Sequence, residues 1–95
     1  MTVAATIREK LAAAFAPGAL TVADDSAKHA GHMGARPEGE THFSVRIVSV
    51  SFRGLSRVER QRRIHAVLAE ELRGGVHALS LTALTPEEVA PEAAG

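Results

Sequence analysis

The chain has 95 residues, enough for one domain with a small core that hides roughly 60–65% of the surface its unfolded form exposes. Hydrophobic residues make up 45% and charged residues 23%, and eleven basic residues cancel eleven acidic ones, which excludes nucleic-acid binding by bulk charge while leaving a local basic patch open. Cysteine is absent, so disulfides, thiolate metal sites and cysteine catalysis are excluded, and no run approaches the roughly 18–20 apolar residues that cross a bilayer. The first residues lack the basic-then-apolar pattern of a secretory signal, and the expectation is a cytoplasmic protein with no membrane partner.

The first predicted element is a helix over residues 3–15. Val3, Ile7, Leu11, Ala14 and Phe15 recur at helical spacing, Thr2 is a candidate N-cap, and Pro17-Gly18 stops the run. Leu20-Thr21-Val22 alternates as a short strand and Asp24-Asp25-Ser26 closes it. Residues 27–40 carry Gly31, Gly34, Pro37 and Gly39 and few apolar groups. A loop that long in so small a domain is expected to be functional or disordered, and residues 27–39 are expected to be the most mobile internal stretch.

Thr41 to Ser51 is the clearest strand, with Phe43, Val45 and Ile47 on one parity, and Gly54 breaks it. Ser56 and Glu59 have capping-box spacing ahead of a helix predicted over 57–72, striped by Ile64, Val67, Leu68 and Leu72 and ended by Gly74-Gly75. Val76 to Ala83 gives a third strand. Thr85, Pro86 and Glu88 start a last helix of barely two turns, and residues 91–95 form a frayed tail beyond a domain spanning 1–90.

This order predicts an α/β domain of the KH-like type II kind, αββαβ(α), with a three-stranded mixed sheet and helices packed on one face. The first two strands should pair antiparallel and the strand–helix–strand crossover should make the last two parallel. Ile7, Leu11, Phe15, Ile64, Leu68 and Leu72 are the expected buried helix residues.

Two groups of residues could carry chemistry. Five histidines stand out in so short a chain: His29, His32, His42, His65 and His77. His29 and His32, three apart on a glycine-containing loop, have a spacing that can chelate a metal, or they are two solvated loop residues. His77 opens the third strand with the parity of Leu79 and Leu81, as a ligand or as a packed, hydrogen-bonded side chain. His42 and His65 fit structural or solvent-facing places. A chain without thiolates cannot complete an iron–sulfur site by itself, so any such cluster needs sulfur from another molecule.

The second group is Arg53, Arg57, Arg60, Arg62 and Arg63, opposed locally only by Glu59. Arginines at a helix start suit phosphate or carboxylate contact. The other reading is a solvated basic face on which Glu59 answers Arg62 and Arg63. With only Phe15, Phe43 and Phe52 as aromatics, a base-stacking platform has little to work with. No nucleophile-elbow or P-loop pattern is present, and the chain is not expected to be an enzyme.

The chain resembles the BolA-like family from about Ile7 to Glu88. The matching pieces are His29-Ala30-Gly31-His32, Glu40-Thr41-His42-Phe43, Phe52-Arg53-Gly54-Leu55-Ser56-Arg57-Val58, Arg60-Gln61-Arg62, Glu71-Leu72, Val76-His77-Ala78-Leu79-Ser80 and Thr85-Pro86-Glu87-Glu88. Their order and spacing together are specific. Val89 departs from the pattern, because many members have an aromatic residue there.

The resemblance implies a monothiol glutaredoxin as partner and a [2Fe–2S] cluster shared with that glutaredoxin and glutathione, which supply the thiolates. On this reading His77 is one ligand and His29 the other, with His32 close enough to compete, and the isolated protein is a monomer. The resemblance also implies a function of another class, a DNA-binding regulator of morphology and stress genes acting through Arg53, Arg57, Arg60, Arg62 and Arg63.

Overall fold

The computed structural model describes residues 2–25, 42–76 and 78–89. Helix α1 spans Val3–Phe15, followed by strands β1 (Ala19–Asp24) and β2 (His42–Val48). A 3₁₀ turn at Val50–Phe52 leads to helices α2 (Arg57–Val67) and α3 (Ala69–Gly74), strand β3 (Ala78–Leu84) and a 3₁₀ turn at Pro86–Glu88. The sheet order is β1-β2-β3. β1 runs antiparallel to β2, with Leu20 opposite Ile47, and β2 runs parallel to β3, with Val45 opposite Leu81. Both pairings are those expected from the sequence.

The alternating strand pattern decides which face is covered. Phe43, Val45 and Ile47 of β2 are buried against Ile7, Leu11 and Phe15 of α1 and Ile64 and Leu68 of α2, with Phe52 and Val76 completing the cluster. Each fully buried large side chain contributes about 1.5–3 kcal/mol. Arg46 on the opposite parity of β2 is exposed, as are Thr21 and Thr82 beside it, so the helices lie on one face of the sheet.

Several boundaries differ from the sequence expectation. α1 begins as predicted, with the Thr2 hydroxyl accepting from the Ala5 N–H at 3.1 Å, but Ala14 is exposed and outside the apolar stripe. The helix is stopped by Ala16 in the left-handed region (φ 42°, ψ 55°) rather than by Gly18. β2 ends at Val48, three residues early. There the buried Ser49 donates its hydroxyl to the Phe15 carbonyl at 2.6 Å and accepts from the Ser51 N–H at 3.0 Å. This turns the chain inward so that Phe52 packs on Phe15, ring centroids 5.0 Å apart. Gly54 follows at φ +79°, where glycine avoids the strain any other residue would carry.

The helix predicted over 57–72 is two helices meeting at Leu68 (φ −100°, ψ 18°), and Leu72 is half-buried rather than buried. Lys10 fastens this second helix to α1 through Glu71 at 2.9 Å and Glu70 at 3.4 Å. The last helix is a single 3₁₀ turn. The expected loop 27–39 and tail 91–95 lie outside the described residues.

Candidate functional site

His77, His29 and His32 lie outside the described residues; what the fold positions is the chain on either side of them. β2 begins at His42, which is opposite Ala78, the first residue of β3. β1 ends at Asp24, opposite Phe43, and the Asp25 N–H donates to the His42 carbonyl at 2.7 Å. Asp25, His42 and Ala78 therefore share one end of the sheet. In sequence, residues 26–41 connect Asp25 to His42, and His77 directly precedes Ala78. A hydrogen bond from the Ser44 hydroxyl to the Asp25 carboxylate fixes this end further. His42 is half-buried there, whereas His65 is exposed on α2. Among the described residues no group of three or more His, Cys, Asp or Glu could hold a metal ion.

The arginine run divides by environment. Arg60 is buried, at 6% exposure, which corrects its placement on a ligand-facing basic patch. Its guanidinium donates to the Leu55 carbonyl at 3.0 Å, to the Ala83 carbonyl at 3.0 Å and to both oxygens of Glu88 at 2.5 and 3.0 Å. It ties the start of α2 to the end of β3 and to the turn that follows. Held by this guanidinium and by the Thr85 N–H at 2.9 Å, the Glu88 carboxyl is pulled down to about 2.

Arg53 is exposed but forked onto Glu87 (Nε–Oε1 3.0 Å), and that contact lowers the Glu87 pKa and raises its own. Arg62 and Arg63 share Glu59 at 3.6 and 3.9 Å. Glu59 thus faces along the helix, and only one arm of the expected capping box is present, Glu59 N–H to the Ser56 hydroxyl at 3.1 Å. Arg57 is exposed and has no acidic partner among the described residues. It lines a cavity of about 150 Å³ with Gln61 of α2 and Leu81, Thr82, Ala83 and Leu84 of β3.

Sequence reasoning passed over Gln61 and the Arg60–Glu88 pair. Gln61 is four residues after Arg57, the spacing of one helix face, and Arg60 is four and eight before the core residues Ile64 and Leu68; those spacings were the available signals.

The family model for BolA-like proteins matches residues 11–88. The chain belongs to the BolA-like family. It is 51% identical over 87 residues to SufE-like protein 1 of Arabidopsis thaliana, covering 87% of this chain and 24% of that protein. It is 48% identical over 86 residues to BolA-like protein 1 of Homo sapiens, covering 90% and 60%. The chain thus spans less than two thirds of the length of these curated relatives. Among solved structures, BolA1 from Arabidopsis thaliana superposes with a TM-score of 0.84 at 42% identity, covering 95% of this chain and 98% of that one. The BolA-like fold is therefore shared over nearly the whole chain.

Proposed function

We propose that this BolA-like chain is a non-enzymatic cytoplasmic partner of a monothiol glutaredoxin and supplies imidazole to a [2Fe–2S] cluster whose thiolates come from the glutaredoxin and glutathione. The observation that carries the reading is the shared sheet end of Asp25, His42 and Ala78, since in sequence His77 directly precedes Ala78 and His29 and His32 fall between Asp25 and His42. The donor chemistry fits a shared cluster and not a self-contained one, because the chain has no cysteine. His77 would be the main ligand and His29 the adjustable second one, with His32 as its competitor. Imidazole in place of thiolate raises a cluster's potential and makes the ligand protonatable, which suits transfer more than storage.

The test is anaerobic reconstitution of the cluster with a monothiol glutaredoxin, glutathione and this protein, followed by visible absorption and circular dichroism. His77→Ala should abolish the bridged complex or shorten its life severely while the domain stays folded, and His29→Ala should shift the spectrum more mildly. A bridged complex with unaltered spectrum and lifetime in His77→Ala refutes the ligand assignment.

The second reading, DNA binding, is favoured by the solvent-facing Arg57, Arg62 and Arg63 at the start of α2. It loses Arg60 to the fold and has Arg53 already engaged by Glu87. DNA binding there would weaken with salt by about one log–log unit per phosphate contacted, and salt-independent binding removes it.

A further inference from the structure

Among the described residues β3 is an edge strand, with β2 on one side only. In a parallel ladder alternate residues turn their N–H and C=O toward the same neighbour. The Leu84 carbonyl accepts from the Ser49 N–H at 2.9 Å, on the β2 side, and the Ala83 carbonyl accepts from Arg60 of α2 at 3.0 Å, on the other. Leu79, Leu81 and Ala83 therefore turn their backbone groups to the outer edge. Arg60 occupies one of these, the Ala83 carbonyl. No described residue takes up the outer N–H groups of Leu79, Leu81 and Ala83 or the carbonyls of Leu79 and Leu81.

Beside that edge lies the cavity of about 150 Å³, walled by Arg57 and Gln61 on one side and Leu81 to Leu84 on the other. Small-molecule pockets usually measure roughly 300–1,000 Å³, so this one has room for a side chain rather than a whole ligand. Open edge groups next to a side-chain-sized cavity are the two components of strand addition, in which the main chain supplies affinity and alternate side chains supply selectivity. Within the arginine run Arg57 is the member without an acidic partner among the described residues, and Gln61 adds an amide donor beside it. A carboxylate is the group that both can hold.

We propose that the outer edge of β3 and the α2 face bearing Arg57 and Gln61 form a groove that takes an extended peptide as an added strand, with an aspartate or glutamate side chain of that peptide in the cavity. Single-stranded nucleic acid is disfavoured as the occupant because all three phenylalanines are buried in the core and the cavity lining holds no ring for base stacking. A second copy pairing β3 to β3 is disfavoured because Ala78–Leu84 contains no acidic residue, which leaves Arg57 unanswered. The cavity lies toward the Leu84 end of β3, away from the end where Ala78 meets His42, and nothing in the proposal assumes the cluster reading.

The test uses the full chain and eight-residue peptides alternating threonine and valine, with one glutamate moved along the positions. Binding is followed by fluorescence anisotropy and by amide shifts in nitrogen-15 spectra. The glutamate peptide in the best register should bind with shifts centred on Leu79, Leu81 and Ala83. Replacing its glutamate by glutamine, or Arg57→Gln in the protein, should weaken binding about tenfold. N-methylating alternate peptide residues should abolish binding for one set and spare it for the other. No binding at millimolar peptide overturns the proposal. So does equal binding by both N-methylated sets, tighter binding of an oligothymidylate at the same residues, or a concentration-dependent dimer whose interface is β3.

Discussion

Arg60 shows how one side chain changes role between sequence and structure. It stands in a run of five arginines within eleven residues, and by composition it belongs to a basic face. Its spacing says otherwise, because Arg60, Ile64 and Leu68 share one helical stripe, and the latter two are core. A guanidinium can lie on that stripe when each of its nitrogens has a partner, and here two carbonyls and a carboxylate provide them. Arg60→Ala removes donors from the Leu55 and Ala83 carbonyls and should cost about 2 kcal/mol in urea unfolding, a charge-assisted hydrogen bond being worth about 1.5–3 kcal/mol. Lysine at this position should recover only part of that, since an ammonium cannot span three acceptors in fork geometry. Arg62→Ala, which touches only Glu59 at the surface, should stay within about 0.5 kcal/mol of the parent. Equal effects of the Arg60 and Arg62 alanine variants would refute the buried-strut role.

At the scale of elements, periodicity located α1, the three strands and the helical stretch now split into α2 and α3, but not the 3₁₀ turn at Val50–Phe52, and tertiary packing set their ends. The break at Leu68 has no proline or glycine to announce it, and the Leu68 N–H still bonds the Ile64 carbonyl while the Leu72 N–H bonds the Leu68 carbonyl, both at 3.0 Å. The early end of β2 comes from Ser49 seeking the Phe15 carbonyl, a contact between residues far apart in sequence. The turn at Pro86–Glu88 is the element whose stability depends on pH. Glu88 carries a folded-state pKa of about 2 because Arg60 and the Thr85 N–H hold its carboxylate, below an ordinary value near 4.5. The depressed pKa means that the latch contributes fully above that ordinary value and is lost as pH falls through about 2. The Thr85 amide shift should therefore titrate with a midpoint near 2, and Glu88→Gln should abolish the titration. A midpoint in the ordinary carboxylate range would show that the Arg60–Glu88 pair does not hold in solution.

Across the whole molecule, β3 separates two surfaces. Its first residue sits beside His42 at the end shared with Asp25, and its last four line the cavity with Arg57 and Gln61. At a rise of about 3.3 Å per residue, the two ends of the seven-residue strand lie roughly 20 Å apart. The crossover topology was legible from sequence because the strands and the stretch between β2 and β3 carried their own periods, and that topology alone brings Asp25, His42 and Ala78 to one end. The edge groove was not legible, since an open edge exists only once strand order is known. The added strand would run the length of β3, but the Arg57 cavity and the Ala78 end share no lining residue, and substitutions that far apart act additively. His77→Ala should remove the glutaredoxin-bridged spectrum and leave acidic-peptide affinity unchanged, and Arg57→Gln should do the reverse. The double variant should show both losses in full, each within about 0.5 kcal/mol of its single-variant value. A peptide that changes the bridged spectrum of the parent protein, or a cluster that changes peptide affinity, would instead make β3 a rigid link through which the two ends are coupled, and the two sites could no longer be treated as independent.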